Sequence, residues 1–197
     1  VSGTDIIVPM RITLVRHPKP IVAANICYGS SDLAIADDEL TRVSNSLSIT
    51  LPQTAALFSS PLRRCAELAA RLNYPSLQFD ARLTEMHFGA WEMRSWDEIP
   101  RTEIDAWASD LIHYRPGDGE SVLQMATRVA GFYADIQNLP DDEVIIICHA
   151  GTIRLLTACH QHAEHENNVD LSLSKIARHA ATTRHRIPYG TPIILER

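Results

Sequence analysis

Two kinds of hydrophobic pattern alternate along the chain. Short uninterrupted apolar runs occur in "RITLVR" (11–16) and "EVIIIC" (143–148). They are too brief for independent helices and rich in β-branched residues, so they read as strands buried on both faces. "TAALFS" (54–59), "SLQFD" (76–80) and "PIILE" (192–196) are weaker strand candidates. Between them the apolar residues recur at helical spacing. In "SPLRRCAELAARL", Leu62, Cys65/Ala66, Ala69 and Leu72 form one stripe, with Ser60 placed to cap the helix and Pro61 at its first position. In "SVLQMATRVAGFYADI", Val122, Met125/Ala126, Val129, Phe132/Tyr133 and Ile136 share a face, and Ser121 with Gln124 has capping-box spacing. A further helix follows His149, with Thr152 as its expected cap. Residues 86–117, rich in tryptophan, charge and turn formers, read as a helical excursion away from the sheet. Strands alternating with helices predict an α/β fold: a central, mostly parallel sheet with helices on both faces.

In such sheets ligands bind beyond the carboxyl ends of the strands, so the residues at those ends matter most. The first run stops abruptly at Arg16-His17 in "ITLVRHPKP", and the fourth stops at His149. If the two strands are parallel neighbours, both imidazoles open onto one crevice. Arg63 and Arg64 fall in the first turn of a helix, where a cation loses about 0.3–1 kcal/mol against the helix dipole. A phosphate would relieve that conflict. Glu85, in "LTEMHFGAWE", becomes a candidate proton donor if its apolar neighbours partly bury it. A phosphate ester needs a nucleophile, cations for the phosphoryl oxygens and an acid for the departing alkoxide. His17, Arg16 with Arg64, and Glu85 could fill those roles; the alternative is that the arginine pair bends into solvent and Glu85 is an ordinary solvated carboxylate.

Composition narrows the partners. The chain of 197 residues has a net charge of −6 and no lysine- or arginine-rich run. That argues against nucleic acid or an anionic membrane and leaves a small phosphorylated molecule as the expected partner. Cys27, Cys65, Cys148 and Cys159 form no C-x-x-C pair and read as reduced thiols of a cytoplasmic protein. No apolar run approaches the roughly 20 residues of a membrane span, and "VSGTDIIVPM" lacks the basic start and long apolar stretch of a signal peptide. His160, His162 and His165 in "CHQHAEH" have ligand chemistry but no closed ligand set, and read as a solvated helix end. Neither a metal nor another cofactor is expected. Trp91, Trp96 and Trp107 read chiefly as anchors of the middle segment.

The ordered set "LVRHP", "SSPLRRC", "LTEMHFGAWE" and "ICHAGTIRLL" resembles the histidine phosphatase superfamily, the R-H-G group that includes cofactor-dependent phosphoglycerate mutase. "CYGSSD" (27–32) and "PYGTPIIL" are similar to its α-ribazole phosphatase branch. The resemblance implies a phosphoglycerate mutase-like fold, with residues 1–197 as a single histidine phosphatase domain. It implies metal-independent hydrolysis through a phosphohistidine: His17 as phosphate carrier, Arg16, Arg64 and His149 as phosphate ligands, and Glu85 as acid. Arg63 stands at the variable position of its motif. Pro18 replaces the usual glycine, Pro20 a Ser or Thr, Ser30 a branch arginine and Met93 a glycine. The substrate expected is α-ribazole 5′-phosphate. The alternatives are broad sugar-phosphate or protein phosphohistidine hydrolysis, mutase activity, or non-catalytic binding of a phospholigand. The complete His-Arg-Arg-Glu-His set disfavours the last, because binding alone needs no proton donor.

Overall fold

In the computed structural model, residues 10–162, 169–184 and 186–195 are described. Five strands form one sheet: β1 (Arg11–Arg16), β2 (Ala56–Ser59), β3 (Gln78–Phe79), β4 (Glu143–Cys148) and β5 (Pro192–Leu195). Their order is β3-β2-β4-β1-β5, and only the β1–β5 pairing is antiparallel. The helices are α1 (Asp37–Thr50), α2 (Arg63–Leu72), α3 (Arg101–Ser109), α4 (Val122–Ile136), α5 (Ala150–His162) and α6 (Val169–Thr182).

Strand alternation divides the core between the two faces. Ile12, Leu14, Ala56, Phe58, Val144, Ile146 and Cys148 pack toward α4, α5 and α6. Val15, Leu57, Ile145 and Ile147 pack toward α1 and α2. This double burial explains why β1 and β4 read as continuous apolar runs rather than alternating ones. Their parallel register sets Arg16 opposite Cys148, so the next residues, His17 and His149, leave the sheet side by side.

Residues 86–117 carry short 3-10 turns at Gly89–Trp91, Trp96–Glu98 and Pro116–Asp118 around α3. Trp91, fully buried, donates its indole N–H to Glu103 at 2.6 Å, and Trp96 and Trp107 stack in parallel beside it. The tryptophans therefore anchor this segment around a small apolar cluster of their own. The capping box at Ser121 and Gln124 is made on both sides.

Two expected caps are not made. Helix α2 starts at Arg63 rather than Pro61, with Leu62 at its N-cap and no side-chain cap. Helix α5 starts at Ala150, and the Thr152 hydroxyl instead donates to the carbonyls of Leu83 and Thr84. Both hydroxyls are drawn off by buried partners near the strand ends, where an unpaired polar atom is expensive. The strand expected at 76–80 is reduced to two exposed residues, paired with β2 at the edge of the sheet.

Candidate active site

Several segments converge beyond the carboxyl ends of β1 and β4. His17 follows β1, and its ring centroid lies 5.1 Å from that of His149, which follows β4. The His17 backbone N–H donates to the Cys148 carbonyl at 3.0 Å, tying the two strand exits together. His17 Nδ1 lies 2.7 Å from the Pro18 carbonyl. A carbonyl only accepts, so Nδ1 carries the proton and Nε2 keeps its lone pair. Arg64 Nε–H donates to that lone pair at 3.3 Å. Burial, then the Arg64 charge and a smaller contribution from Arg16, lower the His17 pKa well below 6.5, against the opposing Pro18 hydrogen bond. The ring is therefore neutral at physiological pH, with a lone pair on Nε2.

The two arginines of the helix start separate as their positions imply. Arg64 is fully buried; its Nη1 and Nη2 donate to the carbonyls of Ser31 and Gly29 at 2.6 and 2.5 Å. Arg63 is exposed and pairs with Glu67 one turn on. The helix start already has an internal anion: Asp32, from "CYGSSD", accepts the Arg63 backbone N–H at 2.6 Å. Arg16 turns toward the C-terminal segment. Its Nη1 donates to the Ile187 carbonyl at 2.8 Å, and its guanidinium stacks 3.7 Å from the Tyr189 ring, which itself lies 5.5 Å from the His17 ring.

His149 is also fully buried, with Ser60 Oγ 2.8 Å from its Nε2. Its pKa falls well below 6.5, chiefly by burial and then by His17 and Arg64. Ser60, read from the sequence as a helix cap, thus orients the second histidine. Cys65 lies 3.5 Å from the same nitrogen, but burial pushes its thiol pKa far up and keeps it unreactive. All four cysteines are free and buried.

Glu85 is half-buried and accepts N–H groups from Gly151 at 2.9 Å and Met86 at 3.0 Å. A Cβ on Gly151 would stand 2.3 Å from the carboxylate, so only glycine lets Glu85 reach the start of α5. Arg128, missed by pattern reasoning, braces this segment. It forms a two-pronged pair with Glu120 and donates to the carbonyls of Arg82, Thr84 and Glu85. Its place in α4 gives no sequence signal of that role. Glu85 sits on the wall of a cavity of about 560 Å³, lined also by Tyr28, Phe88, Trp107, Met125 and Leu155. A second cavity, of about 570 Å³, lies on the Arg16 side with Lys19, Arg42 and Arg186. Tyr28 lines the first and Tyr189 the second, and their hydroxyls meet at 3.0 Å.

Three of the four departures from the family pattern can be placed locally, and nothing in the structure explains Pro20. Pro18 contributes its carbonyl, which proline retains. Met93 adopts φ of +63°, the left-handed region where glycine is the easy choice. Ser30 does not face phosphate; its N–H and hydroxyl both bond Glu92. His160 pairs with Tyr133, and His162 packs edge-on against His179; His165 lies outside the described residues. Among the described residues, no group of three His, Cys, Asp or Glu side chains is placed to hold a metal.

Neighbouring imidazoles and a buried guanidinium thus lie beyond the carboxyl ends of β1 and β4, with the Glu85 carboxylate at the start of α5. The chain belongs to the histidine phosphatase superfamily (branch 1), whose sequence profile matches residues 12–188. It is 30% identical over 86 residues to the adenosylcobalamin/alpha-ribazole phosphatase of Escherichia coli K12, covering 42% of each chain. The match thus spans under half the length of that curated relative. Among solved structures it is similar to the alpha-ribazole phosphatase from Shigella flexneri, with a TM-score of 0.75 and 21% identity over 95% of this chain and 90% of that one. It is similar also to the mycobacterial glucosyl-3-phosphoglycerate phosphatase, with a TM-score of 0.67 and 22% identity over 86% and 84%. The expected mostly parallel sheet with helices on both faces is the fold these proteins share. No helix among the described residues is long and apolar enough to cross a membrane.

Proposed function

We propose that the protein is a metal-independent phosphomonoesterase working through a phosphohistidine, and that its substrate is α-ribazole 5′-phosphate. The observation that carries the reading is the joint placement of a neutral His17, with Nε2 toward Arg64, and of Glu85 on the wall of a cavity lined mainly by apolar side chains together with Arg154 and Arg184. His17 Nε2 attacks phosphorus and the bond to the leaving oxygen breaks. Phosphate entry draws the Arg64 Nε–H from Nε2 onto a phosphoryl oxygen, so the lone pair is released as the charge is neutralised. Glu85, protonated, gives its proton to the departing alkoxide. Water then attacks the phosphohistidine and yields a proton to the Glu85 carboxylate. The P–N bond breaks, and His17 is restored with its lone pair on Nε2.

The guanidiniums and His149 supply the charge complementarity that a divalent ion would otherwise provide. The cavity beside Glu85 favours a leaving group with a flat apolar body, which the benzimidazole of α-ribazole has and a simple sugar lacks. The related alpha-ribazole phosphatases point the same way. The test is a panel of phosphate esters, with and without a strong chelator. The expected result is chelator-resistant turnover with the highest kcat/KM for α-ribazole 5′-phosphate. A much higher kcat/KM for a sugar phosphate or 3-phosphoglycerate would overturn the substrate. Activity that vanishes with chelator and returns only with added metal would overturn the mechanism.

A further inference from the structure

The carboxylate of Glu92 gathers more hydrogen bonds than any role in the mechanism requires. Half-buried, it accepts backbone N–H groups from Gly29 at 3.1 Å, Ser30 at 2.9 Å, Ser31 at 3.0 Å and Phe88 at 2.9 Å. It also accepts the hydroxyls of Ser30 and Ser31. The carbonyls of the same loop, Gly29 and Ser31, face the other way and hold the guanidinium of Arg64. The peptide units of residues 29–31 thus stand between an anion and a cation, N–H toward one and C=O toward the other. That orientation strengthens both sets of bonds. Arg64 in turn touches His17 Nε2. Gly29 is required at the centre of this arrangement, since a Cβ there would lie 1.9 Å from the Met86 carbonyl and 3.0 Å from Glu92 itself.

We infer that Glu92 is a positioning residue for phosphoryl transfer, acting through the Gly29–Ser31 loop to hold the Arg64 guanidinium against the nucleophile. The inference rests on the phosphatase reading above. It accounts for Ser30: a loop whose N–H groups are all committed to an internal carboxylate supplies carbonyls, not a side-chain cation, to the phosphate end. Burial acts to raise the Glu92 pKa, but the bonds from Ser31, Phe88, Gly29 and Ser30 outweigh it and keep the group ionised.

The experiment is a double-mutant cycle between Glu92→Gln and Arg64→Ala, read by aryl phosphate turnover and by calorimetric titration with inorganic phosphate. Glu92→Gln is expected to lower kcat/KM about ten- to a hundredfold and to weaken phosphate binding, as loss of bonds to a charged group does. In the Arg64→Ala background the same change is expected to do nothing further, within about twofold, because the residue it acts through is gone. A merely structural carboxylate would instead give losses that multiply. Ser31→Ala, which removes a single hydroxyl bond to Glu92, is expected to shift both readings in the same direction by less. It carries the test if Glu92→Gln does not fold. Multiplicative losses, or unchanged phosphate affinity in Glu92→Gln and Ser31→Ala, would overturn the inference while wild-type turnover left the phosphatase reading intact. Absence of turnover by the wild-type protein would overturn that reading and this inference with it.

Discussion

The phosphate end and the leaving-group cavity are built on opposite principles. At the phosphate end, His17, Arg64 and His149 are each 2% exposed or less, and every one is held by backbone or a short side chain at a strand or helix terminus. The cavity is lined by side chains gathered from Tyr28, the segment from Glu85 to Leu111, α4, α5 and the end of α6, with Arg154 and Arg184 among the apolar groups. On the proposed reading the chemistry sits on groups fixed at strand and helix ends, whereas the leaving group meets a broader surface drawn from several segments.

That contrast is sharpest at the two arginines of α2. Arg64→Ala is expected to cut kcat/KM by about a hundred- to a thousandfold, the scale of losing a preorganised charge at the transition state. Arg63→Ala removes only an exposed pair with Glu67, and should cost less than about threefold. Equal losses in two folded variants would break the distinction. On the cavity side, Trp107→Ala should raise KM for esters with a bulky apolar leaving group about tenfold while sparing small ones, since a pocket contact discriminates on that scale. A uniform fall in kcat for both classes would place Trp107 with the chemistry instead.

The buried histidines also make the phosphate end sensitive to acid. Both His17 and His149 have folded pKa values well below 6.5. Below that value the unfolded chain takes up protons that the folded chain refuses. Their neutral burial therefore stabilises the fold fully above about pH 6.5, and the contribution is lost as pH falls toward the folded pKa values. Melting temperature should decline from about pH 6.5 downward, well before carboxylates titrate, and less steeply in His17→Asn. An identical slope in that variant would remove His17 from the account. The smallest effect is expected in the excursion: Met93→Gly relieves a left-handed backbone at a half-exposed site and should stabilise by about 1 kcal/mol without altering kcat.

The same contrast governs what could be read in advance. β1 and β4 were legible because double burial leaves an unbroken apolar run, and the residues after them because charge at the end of such a run is anomalous. Helix α1 was not. Its apolar positions Leu40, Val43 and Leu47 are diluted by Ser and Thr, whose hydroxyls at Ser44, Ser48 and Thr50 bond back to carbonyls of the preceding turn. Helix α6 escaped likewise. Ser60 and Thr152 read as local caps because local spacing cannot reveal a buried partner that arrives from elsewhere in the chain, His149 for Ser60 and the Leu83 and Thr84 carbonyls for Thr152. Glu92 and Arg128 are ordinary charges in sequence, and become structural centres only when the loops at 29–31 and 82–85 are folded against them.

The central claim is that His17 carries the phosphoryl group. The direct measurement is to quench the enzyme during turnover of a labelled phosphate ester, map the label to a residue and follow its release in acid and in base. The account predicts label on His17, lost in acid and retained in base as a phosphoramidate is, and absent from His17→Ala together with turnover. Label on another residue, an acid-stable and base-labile ester, or near-normal hydrolysis by a folded His17→Ala variant would contradict it.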